Sequence, residues 1–94
     1  MSRQRLFLFA YDISDDRKRL GAARRLEDVG VRVQDSVFEV RCSREAAHAL
    51  AEQLRPLIDK GDSLRVYFIP DRALQHAIAI GGAHIPEPGN YLLF

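Results

Sequence analysis

The stretch LFLFAYDISDD, residues 6–16, decides how this chain begins to fold. Its first six residues, 6–11, are apolar and rich in aromatic side chains, which predicts a β-strand. The strand would end at Asp12. Ser14 would then be the N-cap of a helix whose acidic first turn meets the positive end of the helix dipole. Asp12 is therefore the residue to explain, because it is either the polar end of a strand or a ligand for a metal ion.

The composition predicts a single small globular domain spanning residues 1–94. Hydrophobic residues make up 47% of the chain, which argues against disorder. No stretch approaches the roughly 20 apolar residues of a membrane span, and the first residues do not resemble a signal peptide. The single cysteine cannot form an internal disulfide. We therefore expect a cytoplasmic protein that does not bind membranes.

The periodicity of apolar residues predicts six main elements in the order strand, helix, strand, helix, strand, strand. Gly30 would end the first helix, Ser43 would cap the second, and Pro56 would loosen its last turn. The later strands are expected over residues 31–40, 64–69 and 75–80, with a short turn at 71–74. Such a chain belongs to the α+β class. Its nearest common architecture is a ferredoxin-like plait: an antiparallel sheet with two helices on one face, here with an extra C-terminal strand.

The predicted strands carry apolar residues on both faces, although two short helices can cover only one. An exposed apolar face of that size is unusual on a soluble monomer, which predicts a homodimer packed sheet against sheet. We expect Leu8 and Phe38 at this interface. The tail, residues 83–94, would be extended and pair with the partner protomer through its last four residues, Tyr91, Leu92, Leu93 and Phe94.

A dimer gives Asp12 a chemical interpretation. In a regular strand Asp12 shares a face with Leu8 and Ala10, so a two-fold axis would bring two such carboxylates together. Their repulsion would be relieved by a divalent cation, for which Mg²⁺ is the best candidate and Mn²⁺ an acceptable substitute. Water activated by that metal would attack a phosphodiester. The alternative is that Asp12 is only a turn or capping residue.

Several segments resemble a known family. They are YDISDDRKR at residues 11–19, RRLEDVGVRVQDSVFEV at 24–40 and GDSLRVYFIP at 61–70. The second contains the pattern Gly-x-x-x-Gln-x-Ser-Val-Phe, here Gly30, Gln34, Ser36, Val37 and Phe38. In order and spacing the chain resembles the small CRISPR-associated endonuclease of the adaptation module, the non-integrase partner in spacer acquisition. The VapD toxins are more distant relatives with a comparable start.

This resemblance implies a ferredoxin-like homodimer in which Asp12 of each protomer is the catalytic, metal-coordinating aspartate. It implies metal-dependent cleavage of RNA or DNA. It also implies a scaffold role, in which the dimer bridges two dimers of the integrase subunit and a DNA duplex lies across it. Arg19 and Arg32 occupy positions where family members carry functional arginines.

The excess of positive charge over residues 17–32 suits a nucleic-acid backbone, so we expect Arg17, Arg19 and Arg32 to bind nucleic acid. Three functions stay open: a metal-dependent nuclease, a non-catalytic DNA-binding scaffold, and a VapD-like toxin ribonuclease. Tyr11, Tyr67 and Phe68 suggest a stacking platform for unpaired bases, but we interpret them as core residues.

Overall fold

The computed structural model describes residues 4–82. Its elements are β1 (Arg5–Asp12), α1 (Asp16–Glu27), β2 (Gly30–Gln34), β3 (Val37–Cys42), α2 (Arg44–Leu54), a 3₁₀ turn (Arg55–Leu57), β4 (Ser63–Ile69) and α3 (Asp71–Leu74). The four strands form one sheet in the order β2-β3-β1-β4, and all neighbouring strands are antiparallel. The α+β class and the ferredoxin-like arrangement are confirmed. None of the described helices has the length and apolarity that a membrane crossing requires.

The region predicted as one strand, residues 31–40, is a hairpin of two strands, β2 and β3. The chain turns at Asp35 and Ser36. Tyr11 holds this turn, because its backbone N–H donates to the Ser36 carbonyl at 3.0 Å and its hydroxyl donates to the Asp35 carbonyl at 3.2 Å. The hairpin places the second and third strands next to each other in sequence, which the ferredoxin-like order requires.

The helix caps partly match the prediction. Ser43 caps α2, since its side chain accepts the Ala46 N–H, and Pro56 lies in the 3₁₀ turn that ends this helix. The cap of α1, however, is Asp15 rather than Ser14. The Asp15 carboxylate accepts the Lys18 N–H at 2.9 Å. Ser14 has a different role at the candidate site.

One face of the sheet, which we call the covered face, packs under α1 and α2. Alternation along β1 sends Phe7, Phe9 and Tyr11 into this core, where they meet Leu26 of α1 and the other buried apolar side chains. Phe38 of β3 is also here and is completely buried. Its assignment to a dimer interface is therefore wrong, because β3 turns its even-numbered side chains toward its own helices.

The opposite side of the sheet, which we call the open face, has no such layer. α3 and the segment after it, residues 77–82, line a cavity of about 420 Å³ beside Val33, Glu39 and Ile69, and both Leu6 and Leu74 are buried outside the main core. The Arg41 guanidinium of β3 lies 3.5 Å from the Asp71 carboxylate, so an ion pair joins α3 to the sheet.

The strand predicted at residues 75–80 is absent from the described structure. Ile78 and Ile80 are 86% and 95% exposed there. A strand needs a neighbour for its backbone N–H and C=O groups, and this segment has none within the described part of the chain. The tail predicted to pair with a partner, residues 83–94 with Tyr91, Leu92, Leu93 and Phe94, lies outside the described residues.

Candidate functional site at the end of strand β1

Asp12 is the last residue of β1, and its side chain is exposed. It pairs in register with Ser63, the first residue of β4. Because side chains alternate along a strand, Asp12 shares the open face with Leu8 and Ala10, as the sequence predicts. The candidate catalytic carboxylate therefore stands at the rim of the face that no long helix covers.

The turn after Asp12 is held by Asp62, just before β4. One oxygen of the Asp62 carboxylate accepts both the Ser14 N–H at 3.1 Å and the Ser14 hydroxyl at 3.0 Å. The other oxygen accepts the Asp59 N–H at 3.1 Å. Burial alone would raise the pKa of Asp62, but the hydrogen bonds from Asp59 and Ser14 outweigh it and lower that pKa. We call Asp62 and Ser14 the Asp62 latch.

Arg19 braces the same turn from the side of α1. Its guanidinium donates to the Ile13 carbonyl at 3.0 Å and to the Ser14 carbonyl at 3.3 Å, and it forms an ion pair with Asp16. These contacts bind Arg19 to the backbone that immediately follows Asp12. The geometry supports a role in positioning this turn, beside the nucleic-acid contact predicted from the sequence.

Lys18 ties the start of α1 to the loop before β4. Its ammonium group lies 2.6 Å from the Asp59 carboxylate. The hydrogen bond to Asp59 raises the pKa of Lys18 and so favours its charged form. This contact joins α1 to the loop before β4, while the turn directly after Asp12 is held by the Asp62 latch.

The structure brings two of the three predicted nucleic-acid residues together. Arg19 and Arg32 line one cavity of about 330 Å³ between α1 and the β2–β3 turn. Arg32 lies 3.4 Å from Glu27 and 5.1 Å from the centroid of the Phe38 ring. Arg17 lies apart from them, exposed in the first turn of α1.

Polar groups interrupt the apolar open face. Glu39 of β3 lies between Leu8 of β1 and Val31 of β2 in the register of the sheet. Burial raises the pKa of Glu39, and Arg41 partly opposes that rise. Tyr67 of β4 pairs with Leu8 on the other side and is half exposed.

Sequence reasoning missed Asp62 and the bracing role of Arg19. Asp62 lies in the loop before β4, and no local pattern shows which turn this loop faces. Asp62 and Ser14 lie 48 positions apart in the chain. Only the pairing of β1 with β4 places them in contact.

The family model described as "CRISPR associated protein Cas2" matches residues 5–77. The chain is 39% identical over 88 residues to "CRISPR-associated endoribonuclease Cas2 3" of Chloroflexus aurantiacus, an alignment that covers 92% of this chain and 95% of that protein. It is 41% identical over 80 residues to "CRISPR-associated endoribonuclease Cas2" of Thermus thermophilus, covering 84% and 85% respectively.

Solved structures agree with this result. Streptococcus pyogenes Cas2, solved at pH 6.5, superposes with a TM-score of 0.69 at 26% identity, covering 81% of this chain and 99% of that chain. A chain of a partial Cas6-RT-Cas1–Cas2 complex superposes with a TM-score of 0.70 at 27% identity, covering 94% and 99%.

Proposed function

The chain belongs to the family of CRISPR-associated Cas2 proteins, and from that premise we propose that it acts in CRISPR adaptation as a homodimeric, metal-dependent nuclease. The observation that carries the proposal is the place of Asp12. It is exposed at the end of β1 on the open face, directly before a turn held by several side chains. Relatives about 40% identical are named endoribonucleases, so RNA is the first substrate to test.

The donor set fits Mg²⁺ or Mn²⁺ if two copies share the site. Within residues 4–82 no group of three His, Cys, Asp or Glu side chains is arranged to hold a metal ion. Mg²⁺ needs only one or two carboxylates, because it retains several waters. Asp12 of this chain and Asp12 of a second copy would supply those carboxylates. When bound, the ion would supply positive charge that polarises a phosphodiester and makes water more acidic.

The remaining residues of the site orient Asp12. The Asp62 latch fixes the backbone of Ser14, and Arg19 fixes the carbonyls of Ile13 and Ser14. A turn held at both ends keeps the Asp12 carboxylate in one place before the substrate arrives, which favours catalysis by positioning. The half-buried Leu8 and Ala10 would meet their counterparts across the dimer and exclude water beside the site.

The exposed basic residues of α1 support duplex DNA binding. Arg17, Arg24 and Arg25 are exposed on this helix and suit phosphate contacts that do not read sequence. A structural neighbour belongs to a complex whose name includes Cas1. We therefore extend the proposal to assembly with an integrase subunit. The family match favours this role over a VapD-like toxin.

The decisive experiment is RNA cleavage by Asp12→Asn in the presence of Mg²⁺. We expect the rate to fall at least about 100-fold, since the substitution removes the charged metal ligand. Asp28→Asn is the matched control, because Asp28 is an exposed carboxylate at the other end of α1. Its cleavage rate should equal that of the unaltered protein.

Two results would contradict the proposal. One is cleavage by Asp12→Asn at the unaltered rate, which would remove Asp12 from the chemistry. The other is sedimentation that finds only single chains at working concentration, which would exclude a shared site. Binding of the integrase subunit by Asp12→Asn would show that assembly does not depend on cleavage.

A further inference from the structure

Ser63 lies beside Asp12 at the same end of the sheet. The two residues are the last register pair between β1 and β4, and both are exposed. Partners in an antiparallel pair project from the same face, with their Cβ atoms about 4.5–5.5 Å apart. The Ser63 hydroxyl therefore lies on the open face, next to the candidate catalytic carboxylate.

The position of Ser63 is fixed by the contacts that hold the neighbouring loop. Ser63 directly follows Asp62, whose carboxylate accepts hydrogen bonds from Ser14 and from the backbone of Asp59. Ser63 is also the first residue of β4, which pairs with β1 as far as Asp12. The Asp62 latch on one side and the strand pairing on the other thus keep Asp12 and Ser63 next to each other.

The other acidic side chains of the turn after Asp12 and of the loop before β4 already have partners. Hydrogen bonds or ion pairs engage four carboxylates, those of Asp15, Asp16, Asp59 and Asp62. Within residues 4–82, by contrast, neither the Asp12 carboxylate nor the Ser63 hydroxyl forms a hydrogen bond or an ion pair. The oxygen atoms of this pair can therefore bind a ligand without losing a contact.

A hydroxyl beside a carboxylate suits a hard divalent cation. Mg²⁺ and Mn²⁺ prefer oxygen ligands, and serine or threonine hydroxyls bind Mg²⁺ in phosphate-transferring enzymes. One copy of this chain offers one such carboxylate and one such hydroxyl. A two-fold axis would supply two of each, and the ion would keep waters at its remaining positions.

From this juxtaposition we infer that Ser63 is a further ligand of the divalent-cation site, with its hydroxyl oxygen beside the Asp12 carboxylate. The inference rests on the proposed function and deepens it, because it adds β4 to the elements that hold the ion. Asp12 and Ser63 lie far apart in the chain and meet only through the pairing of β1 with β4.

The test measures Mn²⁺ binding by isothermal titration calorimetry in the absence of nucleic acid. Ser63→Val should weaken Mn²⁺ binding about 10-fold, the lower end of the effect of losing a group that supports a metal site. Ser63→Thr should bind Mn²⁺ as the unaltered protein does, because threonine retains the hydroxyl and has the shape of valine. Tyr67→Phe is the matched control, because it removes another hydroxyl from the open face of β4 and should leave Mn²⁺ binding unchanged.

A second variant distinguishes a ligand from a residue that only maintains the shape of the site. Ser63→Cys replaces a hard oxygen with a soft sulfur, so the ratio of Cd²⁺ affinity to Mn²⁺ affinity should rise about 10-fold or more. Cys42 is present in every protein compared, so it does not contribute to the difference. Circular dichroism and sedimentation establish that each variant is folded and dimeric. If Ser63→Val alters the dimer, the affinity ratio in Ser63→Cys decides.

Unchanged Mn²⁺ binding by folded, dimeric Ser63→Val would overturn the inference. So would equal losses in Ser63→Val and Ser63→Thr, or an unchanged ratio of Cd²⁺ to Mn²⁺ affinity in Ser63→Cys. Asp12→Asn separates this inference from the proposed function. If Asp12→Asn abolishes Mn²⁺ binding and Ser63→Val does not weaken it, the proposed metal site stands without Ser63. Unchanged Mn²⁺ binding in both variants would refute the metal site itself.

Discussion

The covered face and the open face of the sheet are made from alternate residues of the same strands, yet they differ in what meets them. Along β1, Phe7, Phe9 and Tyr11 enter a core closed by α1 and α2. Leu8 and Ala10 stay half-buried, and Asp12 is exposed. The chain thus completes one face by itself and leaves most of the other without a helical layer.

The difference separates the residues that stabilise the fold from the residues that could contact another molecule. Side chains of the covered face are almost entirely apolar, so their contribution is packing. The open face mixes Leu8 and Val37 with Glu39, Tyr67 and Asp12, a composition more typical of an interface than of a core. Substitutions on the two faces should therefore affect different properties.

The largest expected effect is the difference in the free energy of unfolding between Phe9→Ala and Leu8→Ala. Phe9 is fully buried, so its truncation should lower the free energy of unfolding by about 3–5 kcal/mol at every protein concentration. Leu8 is half-buried on the open face, so its truncation should cost the single protomer about 1 kcal/mol or less.

Urea unfolding at several protein concentrations measures this difference. The loss of unfolding free energy in Leu8→Ala should grow with protein concentration, because a dimer stabilises the folded state by mass action. A concentration-independent loss in Leu8→Ala as large as that in Phe9→Ala would abolish the distinction between the faces.

Two glycine substitutions test how closely the chain is packed around the covered face. A Cβ at Gly30 would lie 2.5 Å from the Glu39 carbonyl oxygen and 2.8 Å from Cγ2 of Val40, so the β2–β3 ladder would have to shift. We expect Gly30→Ala to cost about 1–3 kcal/mol of unfolding free energy.

Gly21→Ala is the matched control within α1. There the new Cβ would meet Leu57 methyl groups at 3.7 and 3.8 Å, which is ordinary contact. The helix should gain roughly 0.5–1 kcal/mol in thermal or urea unfolding. Equal stability of the two variants would show that the hairpin yields more easily than its geometry implies.

The Asp62 latch joins the turn after β1 to the loop before β4. Asp62→Ala removes the acceptor of three hydrogen bonds and should lower the rate of Mg²⁺-dependent RNA cleavage about 10-fold or more, by releasing the turn after Asp12. Asp59→Ala removes the nearby partner of Lys18 but leaves the acceptor of Ser14, so its rate should stay close to normal. Comparable rates in Asp62→Ala and the unaltered protein would refute the positioning role.

The smallest effect concerns pH and the open face. The pKa of Glu39 is raised by burial, which means that its charged form is disfavoured in the folded protein. The contribution of Glu39 to the free energy of unfolding is therefore most favourable at low pH. This advantage is lost as the pH rises through the raised pKa. A second copy on the open face would bury Glu39 further and raise its pKa again, so the dissociation constant of the dimer should increase between acidic and neutral pH.

Glu39→Gln removes this titration. Sedimentation at both pH values should show a flatter dependence in the variant and a dimer at least as tight at neutral pH. The same slope in both proteins would place Glu39 outside the interface.

Several elements could be predicted from the sequence because their signals are local. The apolar run at residues 6–11, the Ser43 cap and the strand at residues 64–69 all lie where expected. The hairpin was missed, because valines occur on both sides of a turn that contains neither glycine nor proline. The extra strand at residues 75–80 was wrong, because apolar composition alone does not supply a neighbouring strand.

The candidate site also combines features that the local sequence predicts with contacts that it does not. Asp12 and its face follow from the alternation of side chains along a strand, which is a property of neighbouring residues. The contact between Ser14 and Asp62, the exposure of Phe68 and the burial of Phe38 depend on strand register and on where the helices lie. Residues far apart in sequence meet only after the sheet has formed, so the tertiary structure alone decided those contacts.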